Sequence, residues 1–122
     1  MYKKETTKQI GKRAEDHVAS VFESRGATLL VRNFSVHNVG ELDLVFADNT
    51  TVYIIEVRAR KVHPGYPTPA ETVTVEKRRK IKNTTRYLIN RYSLYNKNIY
   101  FLIAQVTLDG RGLVQNVDFI PF

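Results

Sequence analysis

The sequence predicts an α/β (α+β) fold with the element order αβββαββ. Two stretches repeat apolar residues every three or four positions, and five others are rich in β-branched and aromatic residues and bounded by Gly, Pro, Asn or Asp. The second and third β-rich runs place apolar residues on both faces, so their sheet needs cover on both sides.

The first helix is expected over roughly Thr7 to Arg25, where Ile10, Ala14, Val18, Val21 and Phe22 form one stripe and Gly26 supplies the C-terminal cap. Strands follow at Thr28 to Phe34, Glu41 to Ala47 and Val52 to Arg60, the last two separated by Asp48-Asn49-Thr50-Thr51, which reads as an antiparallel meander. The segment His63-Pro64-Gly65-Tyr66-Pro67-Thr68-Pro69 excludes helix and central strand, because proline lacks the N–H both need. A second helix starts near Thr74, whose hydroxyl can cap it, and turns Ile81, Thr85, Leu88 and Tyr92 inward. The last strands, Ile99 to Leu108 and Leu113 to Ile120, are joined at Asp109-Gly110-Arg111-Gly112.

A chain of 122 residues without repeats or linkers is expected to form one domain over 1–122. Its 19 Lys and Arg against 12 Asp and Glu give +7, a balance that favours polyanionic partners, nucleic acid first. The absence of Cys excludes disulfides, thiolate zinc sites and a cysteine nucleophile. The amino terminus is charged, with no apolar leader behind it, and no apolar run spans a bilayer. A cytoplasmic protein with no membrane partner is therefore expected.

The chemistry concentrates in Glu41-Leu42-Asp43-Leu44-Val45-Phe46. Strict alternation puts Glu41 and Asp43 on one face and Leu42, Leu44 and Phe46 on the other. Glu56 and Arg58 repeat the spacing on the next strand. A hairpin turn centred on Asn49 and Thr50 sets Asp43 opposite Glu56 and Glu41 opposite Arg58. Such a cluster needs compensation. Two arrangements are open: Arg58 neutralises one acid while the rest stay partly solvated, or the acids hold a divalent cation. Mg²⁺ suits the second, since it takes hard oxygen ligands and only one or two protein carboxylates. A metal so held suits phosphodiester hydrolysis, because it polarises the phosphoryl oxygen and acidifies water. Glu15, on the edge of the first helix's apolar stripe, is within reach of the same patch.

Five motifs in order, Gly11-x-x-Ala14-Glu15, Arg32-Asn33-Phe34, Gly40-Glu41-Leu42-Asp43-Leu44, Ile55-Glu56-Val57-Arg58 and Val73-Thr74-x-x-Lys77-Arg78, resemble the YraN family of small bacterial proteins. That family looks like a branch of the PD-(D/E)XK nuclease superfamily, near the Holliday junction resolvases. The resemblance implies a restriction-endonuclease-like three-layer core, a mixed sheet of about five strands flanked by helices. Carried over by position, it implies Mg²⁺ or Mn²⁺ held by Asp43, Glu56 and the Val57 carbonyl, with Glu15 assisting and Glu41 accompanying. It also implies action on DNA, branched DNA included, and a homodimer, since a symmetric junction takes two cuts. Arg58 stands where the superfamily has Lys. A guanidinium stays protonated, so it can stabilise charge in the reaction but cannot be its base. Lys77 on the second helix is a candidate relocated ammonium.

The second helix is dense in cations. Counting about 100° per residue from Ile81, Arg79, Lys82 and Arg86 form an exposed arc beside Arg78. With Arg60, Lys61 and Tyr66 of the loop that precedes this helix, they are the expected nucleic-acid-binding residues; Lys12 and Arg13 are candidates to extend the track. The leading reading is a metal-dependent endonuclease acting on DNA. The alternatives are a non-catalytic nucleic-acid-binding module on the same fold, in which Arg58 serves as an internal counter-ion, and a protein-interaction domain.

Overall fold

The computed structural model describes residues 5–61 and 73–122. Helix α1 (Thr7–Ser24) begins with a capping box: the Gln9 N–H donates to the Thr6 hydroxyl at 3.1 Å, and the Thr6 N–H donates to the Gln9 side chain at 2.8 Å. Gly26 follows at φ +88°, a left-handed position that glycine takes without steric cost. Strands β1 (Thr28–Val36), β2 (Gly40–Ala47) and β3 (Thr51–Lys61) form the expected antiparallel meander. Helix α2 (Val75–Tyr92) then crosses over to β4 (Asn98–Leu108), which lies parallel to β3, and β5 (Val114–Pro121) returns antiparallel. A parallel pair cannot be closed by a tight turn, so a crossover helix is required between β3 and β4. The result is one mixed sheet, ordered β1-β2-β3-β4-β5.

Each helix covers one face. Ala14, Val18 and Ala19 of α1 pack on Leu44, Phe46, Ile55, Ala104, Val106 and Leu108. Ile81 and Leu88 of α2 pack on Phe34, Leu42, Val45, Val52 and Ile54. Burying a Leu, Ile or Phe side chain stabilises by about 1.5–3 kcal/mol, so both layers contribute substantially to holding the sheet. Two expected inward positions are corrected. Ala19 rather than Val21 completes the α1 stripe, and Tyr92 is partly exposed, its ring edge against Phe34 at 6.3 Å between centroids.

Strict alternation along β2 is also corrected. Leu44 and Phe46 face α1, whereas Leu42, two residues before Leu44, faces α2. The partner strand switches with it: Arg32, paired with Leu44, reaches α1 residues, while Phe34, paired with Leu42, joins the α2 layer. Between them Asn33 sits at φ +52°, the left-handed region that Asn tolerates better than most residues. The backbone therefore kinks at Asn33, and Asp43, flanked by Leu42 and Leu44, sits where β2 changes face.

Candidate functional site

The β2–β3 ladder runs in the register anticipated from the turn, with Ala47 opposite Val52 and Leu44 opposite Ile55, and it ends there. Beyond that pair the strands part, so the expected Asp43–Glu56 and Glu41–Arg58 backbone pairs are not formed. A buried N–H needs an acceptor, and the Asp43 side chain supplies one: Val57 N–H donates to Asp43 Oδ2 at 2.9 Å. The kink thus places a carboxylate where a ladder carbonyl would otherwise stand.

Glu56 follows Ile55, which faces α1, so its side chain points to the α2 side, where it is only 5% exposed. Lys77, in the first turn of α2, stands 3.4 Å from Glu56 Oε2. The helix start that fixes Lys77 is set by Thr74, whose hydroxyl accepts the Lys77 N–H at 3.1 Å. Asp43, Glu56 and Glu41 all line one cleft of about 410 Å³, closed on the helix side by Thr74, Glu76, Lys77, Lys80 and Ile81 and on the strand side by Gly40. Burial pushes the Glu56 carboxyl above the usual carboxylate range, and the negative charge of Asp43 pushes it further; Lys77 and Arg58 pull the other way.

Glu15 lies across the sheet from Glu56, on the α1 side. It is also raised above its ordinary value, first by burial and then by Asp43, against the opposing pull of Arg32. Arg32 bridges Glu15 at 3.4 Å and Asp16 at 2.8 Å. Glu15 lines a separate depression with Lys8, Gly11, Lys12, Arg32 and Asn33. Asp43 is therefore the shared neighbour of two acids on opposite faces. Among the described residues no group of three or more His, Asp and Glu converges on one point. Asp43 and Glu56 line the same cleft as a pair of hard oxygen donors, a set whose chemistry fits an ion that keeps most of its waters.

Of the residues expected to meet nucleic acid, Arg78, Lys82 and Arg86 are exposed on α2, as is Lys61 at the end of β3. Arg79 is also exposed but forked onto Glu76 at 2.9 and 3.0 Å, and the Lys82 ammonium lies 5.9 Å over the Phe101 ring. Arg60 is half-buried at the end of β3. Arg13 does not extend the track, because it is held by Glu5 and by Gly112 O at 2.7 Å; Lys12 is paired with Asp16 at 2.9 Å. Tyr66 and the Pro-rich segment around it lie outside the described residues. Sequence reasoning missed Lys80, whose position three residues after Lys77 on one helix flank was the available signal, and Arg32, visible only as part of a motif.

The chain is similar to several known bacterial proteins over most of its length. The chain is 32% identical to a UPF0102 protein of Dictyoglomus turgidum over 114 residues, covering 93% of this chain and 95% of that protein. It is 35% identical over 88 residues to one of Acinetobacter baylyi, covering 72% of this chain and 61% of that protein. A third, from Clostridium perfringens, is 32% identical over 103 residues, covering 84% and 83%. The family model described as "Uncharacterised protein family UPF0102" matches residues 14–110, a span that holds Glu15, Asp43, Glu56 and Lys77, and the chain belongs to that family.

Proposed function

We propose that the protein is a divalent-metal-dependent endonuclease that hydrolyses DNA phosphodiester bonds, branched DNA among its substrates. The observation that carries this reading is the carboxylate pair: Asp43 and nearly buried Glu56 line one cleft whose helix side carries Lys77 and Lys80. A nearly buried Glu56 carboxyl whose proton affinity is raised by burial and by the charge of Asp43 is an unfavourable arrangement for the apoprotein and a favourable one for a cation.

Asp43 and Glu56 would hold Mg²⁺ or Mn²⁺, with the Val57 carbonyl beside them. The ion would supply Lewis acidity toward the phosphoryl oxygen and a lowered pKa for attacking water. The chain's own residues do the rest. Val57 N–H fixes the Asp43 carboxylate by its hydrogen bond. Lys77 and Arg58 offer positive charge to the phosphate as negative charge builds on it, and neither Arg58 nor Arg32 can act as a base. Glu15, raised in pKa on the far side of Asp43, biases the charge of the pair, and Glu41 borders the entrance. Arg78, Arg79, Lys82 and Arg86 on α2, with Arg60 and Lys61 at the end of β3, would meet the backbone phosphates without reading bases.

A second reading draws on one observation, the Lys77 ammonium already placed 3.4 Å from Glu56. In that reading the lysine is the resident counter-ion and the fold only binds nucleic acid. Incubation with labelled Holliday junction, flap and linear duplex in Mn²⁺ separates the two. The nuclease reading expects cleavage that Asp43→Asn and Glu56→Gln abolish. Cleavage at the parent rate by either variant, or none by the parent alongside tight DNA binding, overturns it.

A further inference from the structure

The outer surface of α2 carries more than charge. The helix holds seven cations against a single acid, Glu76, and Glu76 is occupied by Arg79. Where the helix runs away from the cleft, large aromatic rings stand out among those cations. Tyr87 is 53% exposed and Tyr95, just beyond the helix end, is 67% exposed. The Tyr95 hydroxyl donates to the Asn90 side chain, which orders that ring, while Arg86, Tyr87 and Asn90 line a shallow concavity of about 200 Å³. An exposed phenol ring held beside arginines gains nothing from the domain's core. What it offers is a flat π-face next to positive charge.

The spacing joins this platform to the cleft. Lys77, Lys80, Tyr87 and Arg91 recur at intervals of three, seven and four residues, which keeps them on one flank of the helix. Gly40 fixes which flank it is, since a Cβ built on it would meet Thr84 and the Lys80 carbonyl at the cleft wall. At a rise of about 1.5 Å per residue, Tyr87 lies about 15 Å along the helix from Lys77, the length of about four stacked nucleotides.

We propose that this flank of α2 is a binding site for an unpaired nucleic-acid strand, with Tyr87 and Tyr95 stacking on bases, Lys80 and Arg91 meeting the phosphates along the flank, and Arg86 reaching them from the other wall of the concavity it shares with Tyr87. Only a strand with open base faces can use the rings. In a duplex those faces are stacked on one another, and a duplex takes the phosphate contacts alone. The site deepens the nuclease reading by naming the form of the substrate, a branch or flap with a single-stranded arm, and it depends on that reading only for the direction in which the strand leaves the cleft.

The test is fluorescence anisotropy of the full chain with a labelled oligothymidylate and with a duplex of equal length, both in EDTA so that cleavage plays no part. The single strand is expected to bind more tightly. Tyr87→Ala and Tyr95→Ala are each expected to weaken it by roughly five- to a hundredfold, the range for one lost base stack, while Tyr87→Trp retains it and duplex binding is unchanged. Both positions are solvent-facing, so unaltered thermal unfolding of the variants is expected as well. Equal or tighter binding of the duplex, or single-strand binding indifferent to both alanine variants, overturns the site. Either result leaves the carboxylate pair untouched, because that reading is decided by cleavage in the Asp43→Asn and Glu56→Gln variants.

Discussion

Gly40 opens β2 where its backbone passes beneath α2, and it offers a sharp test of how the cleft is built. A Cβ added there would lie 2.5 Å from Thr84 Oγ1, 3.5 Å from Lys80 O and 3.8 Å from Thr84 Cβ. Thr84 is fully buried, and its hydroxyl donates to Lys80 O at 2.7 Å, so it cannot turn aside without leaving that bond unmade. Gly40→Ala must therefore push α2 outward, and overpacking of this kind costs about 1–3 kcal/mol. In a Thr84→Ala background the obstructing oxygen is gone, and the remaining neighbours stand at ordinary contact distance. Gly40 is not among the positive-φ residues, so alanine fits its backbone there and stabilises by up to about 1 kcal/mol through the unfolded chain. The same substitution thus changes sign between backgrounds. Urea unfolding of the parent, both single variants and the double variant should give a coupling of at least about 1 kcal/mol at constant m-value. A Gly40→Ala cost that is equal in the two backgrounds would refute the contact, and with it the seat that sets Lys77 and Lys80 against β2.

Three further outcomes are expected. Thr74→Ala removes the acceptor for the Lys77 N–H and should cost about 1 kcal/mol in chemical unfolding, whereas Thr74→Ser should cost little. Asn33→Gly should preserve stability, while Asn33→Val should lose about 1–2 kcal/mol or more, because a β-branched residue resists the left-handed backbone; equal stability would remove the kink from the account. In metal-free buffer, Glu56 and Glu15 bind protons more tightly folded than unfolded, so their contribution is present below the ordinary carboxylate pKa and lost as pH rises through the raised one. The apoprotein's melting temperature should accordingly fall across that window, and Glu56→Gln should flatten the slope.

The helices and strands were legible because their signals are local. A stripe of Ile10, Ala14 and Val18, a capping Thr74 and the Asp48–Thr51 break each act within a few residues, and each element formed within a residue or two of its expected place. That the sheet is mixed followed from the family resemblance rather than from periodicity; which pair runs parallel, β3 with β4, is a tertiary fact set by the α2 crossover. The change of face at Asp43 was not legible, since it depends on one backbone angle at Asn33 and on a ladder that ends early. Alternation had set Leu42 beside Leu44; the kink buries them on opposite faces and puts the Asp43 carboxylate against the β3 backbone. Turn register brought Asp43 and Glu56 to neighbouring positions, and both line one cleft although their backbone pair does not form; that Lys77 faces Glu56 is a tertiary fact, set by where α2 docks. Arg13 illustrates the converse: a surface cation by composition, it is tied to Glu5 and the β4–β5 turn.

Anomalous scattering from crystals soaked in Mn²⁺ tests directly whether Asp43 and Glu56 grip one ion. A single peak is expected within about 2.0–2.3 Å of an oxygen from each carboxylate, with the Lys77 ammonium moved away from Glu56. A cleft without a peak at millimolar Mn²⁺, with Lys77 still seated on Glu56, would contradict it.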